Sequence, residues 1–503
     1  MFDYIMDSEL KEILKGIKGN RDFYPEDYSE YKVIFDAMHS VSKKFGYEFY
    51  EGPILEYAKL IEYKSGQELA TETYRLTDRE ERKLVLRPEM TPSLARLIVN
   101  QHQRYPKPIR WYCLPRVFRD ETPQRGRVKE HFQFNADIIG IDHPAADAEI
   151  IALTTNIIKT SGLKDEEFVC VINSRELLQS YLEFLNIKAK EEVIRIIDAK
   201  GKFVQNAIET DLTKNGYKNF EAKDIAQQFR TIWQQDSKAE KSYPEIEKND
   251  DLAHYLNDLL VIEEREVKNA LKELGLSSDQ IINVYNFTLI KGEPGTVIKT
   301  LKSLEINEKV ESAIEKLEDL IVYLEAFNVL QNCKFDVSIA RGLDYYTGIV
   351  FEFLDKTGSV ARAIAGGGRY DQLVENFGGG KIPATGIGMG ETVLHSILKA
   401  LNRFPTYKHP AEVYVIPTSN KVIKETAEIV KELRKDFAVI FNPFKWKFMK
   451  QLNDAENRYI PYTIIVGERD LAEEKVTFRD TKTREEKSIL ISEIKKELEA
   501  KLK

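Results

Sequence analysis

Four arginines lie within one short segment, and the pattern around them constrains the fold more than any other part of the sequence. The segment, residues 116–140, is RVFRDETPQRGRVKEHFQFNADIIG. A proline and a glycine interrupt the basic stretch, as is typical of a loop between two strands. The run that follows alternates in polarity, so Gln133, Asn135 and Asp137 are predicted to share one face of a strand. The four arginines are Arg116, Arg119, Arg125 and Arg127.

This predicted hairpin has two interpretations. A planar guanidinium group donates paired hydrogen bonds to phosphate, and the polar face of the following strand could bind a small polar ligand. In that case the segment is part of a site for a phosphorylated substrate. The alternative is a solvated hairpin whose charges form surface ion pairs, and composition alone does not decide between the two.

A strand-to-helix corner precedes this segment. Residues 84–100, LVLRPEMTPSLARLIVN, predict a strand, then a turn at Pro88, then a helix. Glu89 and Thr91 lie at the corner, where polar side chains can face a ligand. Thr91 before Pro92 also fits the N-cap of the helix, and this structural role is the simpler explanation of the threonine.

Two segments in the second half of the chain contain further candidates. In residues 338–353, SIARGLDYYTGIVFEF, a Gly-Leu-Asp turn would let Arg341 and the rings of Tyr345 and Tyr346 project into a cavity. Ordinary sheet packing is the alternative for either tyrosine. Residues 363–394 are rich in glycine, which permits close approach of the backbone to a ligand or to a packed neighbour.

Several nucleotide-binding and metal-binding motifs do not occur in the sequence. The nearest approaches to the GxxxxGK[ST] and GxGxxG patterns are GGGKIP and GIGMG, and neither fits. No HExxH motif, EF-hand loop or CxxC pair is present, so no metal site is predicted from a ligand motif. A nucleotide would have to be bound by another kind of site, such as the arginine-rich segment.

Length and charge limit the class of protein. The chain has 503 residues, which corresponds to roughly three domains at about 150 residues each. With 82 acidic and 74 basic residues its net charge is −8, which argues against a wholly basic nucleic-acid binder but not against a local basic surface. Three dispersed cysteines fit reduced thiols, and no uninterrupted apolar run of about 18 residues occurs. We therefore expect a cytoplasmic protein without a membrane span.

The chain is predicted to contain three domains, one of them interrupted. A proline-flanked seam at 404–410 precedes a C-terminal α/β domain, 411–503. This domain is predicted to contain a strand at 412–417, an amphipathic helix at 421–434, further strands at 437–441 and 463–467, and a terminal hairpin of strands 476–480 and 487–491. Residues 1–195 and 331–405 contain short strands, glycine turns and nearly all the arginine motifs, and we expect them to form one α+β domain. The segment between them, 196–330, is helical and highly charged, and is either a solvated insertion or a module that grips RNA.

Together and in this order, these segments resemble a class II aminoacyl-tRNA synthetase, and specifically the histidyl-tRNA synthetase family. Residues 116–140 are similar to motif 2 of the class, and RGLDYY and AGGGRYDQL are similar to the two histidine-specific motifs of the family. The stretch GYEF (46–49), followed by Pro53, resembles motif 1, which lies at the dimer interface in the family. The resemblance covers about 20–195 and 331–503, and the C-terminal part resembles the anticodon-binding domain.

The resemblance implies a fold and an activity. The fold is an α+β catalytic domain with an antiparallel sheet, a helical insertion domain and a C-terminal α/β domain. The activity is that of an ATP-dependent ligase, which activates L-histidine as histidyl-adenylate and transfers the histidyl group to the 3′ end of tRNA(His). ATP is then a substrate with Mg2+ bound to it, and the protein is a homodimer.

The resemblance also implies roles for individual residues. Arg119 and Arg341 would face the α-phosphate of ATP from two sides and are the implied catalytic residues. Glu121 and Arg127 would contact adenine and the triphosphate. The residues implied to line the histidine pocket are Glu89, Thr91, Gln133, Asp137, Tyr345 and Tyr346.

The sequence departs from the family pattern at Met90, Thr122 and Val393. The third motif of the family carries an arginine for the γ-phosphate, whereas Val393 stands at that position here, so Arg369 or Arg362 would have to replace it. The same departure suits an alternative function, a non-catalytic synthetase-like regulatory subunit of ATP phosphoribosyltransferase. The complete RGLDYY motif, the motif 2 arginines and the C-terminal domain favour the enzyme. A class II synthetase of another specificity is disfavoured, because prolyl and threonyl relatives lack RGLDYY and AGGGRYDQL.

Overall fold

The structure is a computed structural model of the chain. It describes residue 10 and residues 13–62, 72–122, 128–219, 221–223, 225–227, 229, 250–338, 346–360, 362–442 and 447–502. The chain divides into two compact units, Met1–Phe404 and Pro405–Lys503. Across the described residues, no helix combines the length and the apolar character needed to cross a lipid bilayer.

The first unit contains both strands and helices. Its described strands are β1 (Glu48–Phe49), β2 (Leu55–Tyr57), β3 (Arg75–Thr77), β4 (Lys83–Leu86), β5 (Ile109–Cys113), β6 (Arg116–Phe118), β7 (Glu130–Ile139), β8 (Phe168–Ser174), β9 (Lys291–Gly292), β10 (Cys333–Asp336), β11 (Ile349–Asp355), β12 (Ala365–Arg369) and β13 (Ala384–Gly390). Its described helices are α1 (Pro25–Lys44), α2 (Ala58–Glu62), α3 (Thr91–Gln101), α4 (Pro144–Ser161), α5 (Arg175–Phe184), α6 (Lys190–Asp198), α7 (Lys200–Lys214), α8 (Asp250–Glu273), α9 (Ser278–Phe287), α10 (Pro294–Lys302), α11 (Glu308–Ala326), α12 (Leu373–Asn376) and α13 (Glu391–Ala400).

Ten of these strands form one large sheet in the described part of the unit, with the order β1-β5-β7-β13-β12-β11-β8-β10-β9 and with β6 paired to β7. Every pairing from β5 to β8 along this order is antiparallel. Parallel pairs extend the sheet on either side, β1 with β5 and β10 with β8. The predicted antiparallel catalytic sheet is therefore confirmed, with parallel strands added outside its centre.

Helices cover one face of this sheet. Alternation along β7 sends Phe134, Ala136 and Ile138 into the largest apolar core, where they meet the helices. Helix α4 is buried around most of its surface, which explains why its sequence is apolar on several sides. It begins after His143, whose ring accepts the Ala145 N–H. The opposite face carries a smaller apolar cluster, which includes residues of α3 and α12.

A small sheet of three strands, in the order β2-β4-β3, stands beside the large one. Val85 of its central strand is buried against α2. The other face carries Leu55, Tyr57 and Leu76, which are 46%, 55% and 44% exposed. An apolar face of this kind on a single chain is a common sign of a contact with another molecule.

The helical segment between β8 and β10 contributes to two separate cores. Helix α11 starts at the N-cap Asn307, whose side chain accepts the Val310 N–H, and its apolar stripe joins the large core of the sheet. Helices α7 and α8 instead share a core of their own, built around Ile208 and Tyr255. Within the described residues, part of the predicted insertion is therefore continuous with the core of the large sheet.

The described residues of the second unit form a sheet in which the neighbouring strands are, in order, β15 (Val439–Phe441), β14 (Val413–Pro417), β16 (Tyr462–Val466), β17 (Lys475–Asp480) and β18 (Glu486–Leu490). The first three strands are parallel and the last two pair antiparallel, as the predicted strand–helix–strand pattern and terminal hairpin require. Its described elements are β14 (Val413–Pro417), α14 (Ile423–Leu433), β15 (Val439–Phe441), α15 (Phe448–Asn457), β16 (Tyr462–Val466), α16 (Glu468–Ala472), β17 (Lys475–Asp480), β18 (Glu486–Leu490) and α17 (Ile494–Leu502).

Candidate active site

A strip without side chains crosses the face of the large sheet that lies opposite the largest helical core. Every second residue of β13 from Gly386 onward is a glycine. Directly opposed residues of an antiparallel pair point to the same face, so these glycines lie beside polar residues of β7. The pairs are Gly390 with Gln133, Gly388 with Asn135 and Gly386 with Asp137. We call the glycines at 386, 388 and 390 the glycine strip.

The strip is required where β7 carries a carboxylate. A Cβ atom at Gly386 would lie 2.0 Å from Oδ1 of Asp137, which no real structure tolerates. At Gly388 the nearest atom to such a Cβ would be Nε2 of Gln133 at 3.4 Å, an ordinary contact. The glycines therefore make room for a buried acid at one end of the strip and leave open space toward the other end.

Asp137 occupies the closed end of the strip. Its side chain is buried, and the hydroxyl of Tyr370 donates a hydrogen bond to its Oδ1. Burial raises the pKa of Asp137 to about 7, and the hydrogen bond from Tyr370 opposes this rise. Near neutral pH this carboxyl group can therefore accept or donate a hydrogen bond, as an imidazole ring with one donor and one acceptor nitrogen requires.

The aromatic surroundings of Asp137 hold Tyr370 in place. Tyr370 packs with Trp111 and Val350 in an apolar cluster on the same face of the sheet. Its backbone N–H also donates to the carbonyl of Ala384, at 2.8 Å. Tyr346, which was predicted for the histidine pocket, is buried in this same cluster.

Arg119 lies just after β6, over the polar face of β7. Its Nε donates to the carbonyl of Pro88 at 3.0 Å, and its Nη2 donates to Oε1 of Gln133 at 3.4 Å. Nη1 is 3.9 Å from Oε1 of Glu121. Gln133 in turn donates to Oδ1 of Asn135 at 3.0 Å, so a chain of polar contacts links the guanidinium group to the strand.

A cavity of about 390 Å³ opens beside Arg119, at the open end of the glycine strip. Helix α13 begins at this cavity with Gly390 as its N-cap, and the carboxylate of Glu391 accepts a hydrogen bond from its own backbone N–H. The lining residues are Arg119, Glu121, Val128, His131, Gln133, Arg362, Ala363, Ile364, Gly390, Thr392 and Val393.

The histidine in this cavity is uncharged. Burial, together with the charges of Arg119 and Arg21, lowers the pKa of His131 to about 3. A Cβ at Gly390 would lie 3.4 Å from Cδ2 of the His131 ring, so the ring stands directly over the end of the strip. His131 therefore presents a neutral aromatic surface to the cavity at physiological pH.

The structure also describes Glu89 and Thr91 at the corner of β4 and α3, and Glu121 after β6. Glu89 and Glu121 are both buried, and Glu121 lines the cavity. The prediction that Thr91 is the N-cap of the helix is wrong. Thr91 is already the first helical residue, Met90 is the N-cap, and no side chain caps the helix.

Arg369 is not available to a ligand, so the expectation that it could replace a phosphate-binding arginine is wrong. Its guanidinium group is buried and donates twice to Oδ2 of Asp147, at 3.1 and 2.6 Å. Further donors reach the carbonyls of Ile141 and His143 and a carboxylate oxygen of Asp371. Arg369 therefore ties β12 to the start of α4 and has a structural role.

The remaining predicted positions divide into two groups. Arg362 lines the cavity, and Val393 is buried with one side toward it. Arg127, Arg341 and Tyr345 lie outside the described residues, and their implied roles stay predictions. The central expectation that Arg119 and Arg341 converge on one phosphorus is among these.

The arrangement suits an elongated ligand with an anionic centre and a polar ring. Asp137 lies four positions after Gln133 in β7, which is about 13 Å along a strand. Cationic groups lie at one end of this distance and a buried carboxyl with a phenol at the other. Among the described residues, no group of three or more His, Cys, Asp or Glu side chains is placed to hold a metal ion.

Comparison with known proteins agrees with this geometry. Residues 19–264 and 263–392 match the family model described as histidyl-tRNA synthetase, and residues 412–501 match that of the anticodon binding domain. The histidine–tRNA ligase of Pyrococcus furiosus is 33% identical over 483 residues, covering 96% of this chain and 98% of the relative. That of Thermoplasma volcanium is 34% identical over 483 residues, covering 96% and 97%.

Solved structures share the fold. The histidyl-tRNA synthetase of Nostoc sp. PCC 7120 has a TM-score of 0.72 at 23% identity and covers 96% of this chain and 98% of its own. A structure described as an ATP phosphoribosyltransferase regulatory subunit/histidyl-tRNA synthetase from Bacillus halodurans C has a TM-score of 0.61 at 23% identity, covering 84% and 90%.

The large antiparallel sheet and the C-terminal α/β unit have the fold of the solved histidyl-tRNA synthetase, and the family-model matches make the chain a class II aminoacyl-tRNA synthetase. Within that class, the chain belongs to the histidyl-tRNA synthetase family. The family resemblance and the fold class inferred from the sequence are thereby confirmed.

Two residues of the site were missed by sequence reasoning. Tyr370 belongs to the AGGGRYDQL segment, and the period of two that runs through Gly366 and Gly368 would have placed it on the face of the glycine strip. His131 is the first member of the polar series of β7, two residues before Gln133. Both residues could have been found by extending the period-of-two alternation of β7 and of the glycine-rich segment by one more step.

Proposed function

We propose that this chain is a histidine–tRNA ligase, which activates L-histidine with ATP and transfers it to tRNA(His). Its relatives from Pyrococcus furiosus and Thermoplasma volcanium carry this name and match nearly the whole chain. The single structural observation that supports the activity best is the pairing of two features on one sheet face. A buried Asp137–Tyr370 pair lies at one end of the glycine strip and Arg119 lies near the other.

In the first step, a carboxylate oxygen of histidine attacks the α-phosphorus of ATP. The bond from this phosphorus to the oxygen that bridges the α- and β-phosphates breaks, and pyrophosphate leaves. Negative charge increases on the α-phosphate, and the fixed guanidinium of Arg119 stabilises it without giving up a proton. Arg341 is proposed to act from the other side, and Arg127 with Glu121 is proposed to position the nucleotide.

Recognition of histidine is assigned to the closed end of the strip. The imidazole would pair one ring nitrogen with Asp137, whose carboxylate Tyr370 orients. Glu89 would pair the other ring nitrogen. The rest of the pocket would be lined by Thr91, Gln133, Tyr345 and Tyr346. A site that pairs both ring nitrogens rejects an apolar analogue of the same size, because the buried polar groups would then lose their partners.

In the second step, a hydroxyl of the terminal adenosine of tRNA(His) attacks the carbonyl carbon of histidyl-adenylate. The bond between that carbon and the phosphate oxygen breaks, and AMP and a proton are released. Residues 412–501, which match the anticodon binding domain, are proposed to recognise the tRNA. Mg2+ enters with ATP as part of the substrate, and a cytoplasmic location is part of this proposal.

The active protein is proposed to be a homodimer. Leu55, Tyr57 and Leu76 form an exposed apolar face on the small three-stranded sheet, next to the segment that resembles motif 1. Burying this face against a second copy removes it from water, which favours association. Light scattering should give twice the chain mass for the natural protein and a smaller mass for Tyr57→Glu. An unchanged dimer in the variant would move the interface elsewhere.

The regulatory alternative predicts a different behaviour. A subunit without catalysis would bind histidine without histidine-dependent exchange of pyrophosphate into ATP, and it would not charge tRNA. The matched anticodon binding domain favours the enzyme. The decisive assay is ATP–pyrophosphate exchange with each of the twenty amino acids, followed by charging of tRNA(His). We expect exchange with histidine alone, and its absence from folded protein would overturn the proposal.

A further inference from the structure

We propose that Arg362 binds the terminal phosphates of ATP and thereby supplies the positive charge that Val393 cannot. This inference rests on the proposed function, because it assumes that ATP enters the cavity beside Arg119. It concerns one residue in the wall of that cavity, and it can fail while the proposed function stands.

The first argument is the balance of charge in the cavity. A triphosphate carries several negative charges, which need fixed cations or hydrogen-bond donors when they leave water. The charge of Arg119 is partly balanced by Glu121, which lines the same cavity, with 3.9 Å between Nη1 and Oε1. Among the described residues of the lining, Arg362 is the other guanidinium group.

The second argument eliminates the neighbouring candidates. His131 faces the cavity but is neutral at physiological pH, because its pKa is lowered to about 3. The guanidinium N–H groups of Arg369 donate hydrogen bonds to Asp147 and to backbone carbonyls. Val393 is buried and apolar, with its side chain in the main core. None of the three can neutralise a phosphate.

The third argument is position. Residues 362–364 lead directly into β12, and the Ile364 N–H already bonds the carbonyl of Phe353, which fixes this stretch against β11. Strand β12 lies two strands from β7, which puts about 10 Å between their backbones. Long side chains from both sides can reach into this space. Arg119 on the β7 side and Arg362 on the β12 side would then hold different phosphates of one chain.

The inference predicts which part of ATP depends on Arg362. If Arg362 contacts the β- and γ-phosphates, Arg362→Ala should raise the KM for ATP in histidine-dependent exchange about 10- to 100-fold, as expected for a lost charge-assisted hydrogen bond. The KM for pyrophosphate should rise similarly. The KM for histidine and the inhibition constant of AMP should change less than about threefold. Arg362→Lys should recover part of the loss, because it restores the charge but not the planar fork.

The matched control is Arg104→Ala, which removes an exposed arginine outside the cavity lining and should leave all four constants unchanged. An unchanged KM for ATP in Arg362→Ala would overturn the inference, and so would an equal loss for AMP and ATP. If Arg362→Ala does not fold, Arg362→Gln and Arg362→Lys carry the same comparison. Failure of the natural protein to exchange pyrophosphate would instead contradict the proposed function.

Discussion

The large sheet of the first unit and the sheet of the C-terminal unit are built from similar strands but have different surfaces. In the C-terminal sheet, Val415 of β14 packs into one core and Tyr414 beside it packs into a second core on the opposite face. In the large sheet, Met389 of β13 packs into the helical core, whereas its neighbour Gly388 has no side chain. A strand with a side chain at every position completes two core layers. A strand with glycine at alternate positions completes one layer and leaves room for a ligand on the other face.

This difference assigns the chemical step to the large sheet, whereas the C-terminal sheet contributes to the stability of the fold. The glycine strip contributes no apolar area of its own, so its value lies in the space that it leaves beside Asp137 and Gln133. In the C-terminal sheet, side chains fill both faces of β14 instead, so its contribution should be structural or directed to RNA. Substitutions in the large sheet should therefore alter the activation of histidine, and substitutions in the C-terminal sheet should not.

The largest effect is expected from Arg119→Ala. Loss of this fixed cation should lower histidine-dependent pyrophosphate exchange about 100- to 1000-fold, with a smaller change in the KM for ATP, because its interaction strengthens as charge develops in the transition state. Arg116→Ala is the matched control, since Arg116 stacks over Phe132 on the other side of β7 and does not line the cavity. An effect confined to KM would contradict the role given to Arg119.

The next effect concerns the strip itself. Gly386→Ala forces its new Cβ against Oδ1 of Asp137, so we expect the unfolding free energy to fall by about 1–3 kcal/mol, as for an overpacked core, and the KM for histidine to rise at least tenfold. Gly388→Ala meets its nearest atom at ordinary contact distance and should be stable to within about 1 kcal/mol. Chemical denaturation and exchange kinetics measure both. Equal unfolding free energies and equal KM values for histidine in the two variants would contradict the inference that Gly386 makes room for Asp137.

A smaller effect is expected from Tyr370→Phe, and it depends on pH. The hydrogen bond from Tyr370 favours the ionised form of Asp137, whose pKa burial raises to about 7. Removing the hydroxyl should therefore raise that pKa further, by about one unit. Histidine binding to the ionised carboxyl strengthens as pH rises through the pKa, so its midpoint should move to higher pH in Tyr370→Phe. Free histidine titrates identically with both proteins, so it cannot cause a difference between them. An unchanged midpoint of the pH dependence of histidine binding would show that Tyr370 does not stabilise the ionised form of Asp137.

The smallest effect on catalysis is expected in the other sheet. Val415→Ala removes two buried methyl groups and should lower the stability of the C-terminal unit by about 2 kcal/mol. Hydrogen exchange on the full chain should show this loss within residues 405–503, while pyrophosphate exchange stays within twofold of the natural protein. A fall in pyrophosphate exchange to the same extent as in Gly386→Ala would show that the two sheets are not independent.

Local patterns predicted much of this architecture. The strand predicted at 412–417 is observed at Val413–Pro417, and the helix predicted at 421–434 is observed at Ile423–Leu433. The shared face of Gln133, Asn135 and Asp137 is also confirmed. These features depend on residues close in sequence, where alternation and helical spacing are sufficient.

Contacts between distant segments could not be predicted in the same way. The Tyr370–Asp137 bond depends on the register of β12, β13 and β7, which no local pattern specifies. The choice between Arg369 and Arg362 depends on Asp147, a buried acid on α4 that pairs with Arg369. Thr91 was misplaced by one residue, because helix ends are the least certain part of such a prediction.

A crystal structure with L-histidine and a non-hydrolysable ATP analogue would test the central claim most directly. We expect the ligands to lie across Gly386, Gly388 and Gly390, with the imidazole at Asp137 and the α-phosphate at Arg119. Ligand density elsewhere on the chain, with this face of the sheet empty, would contradict the assignment of the active site.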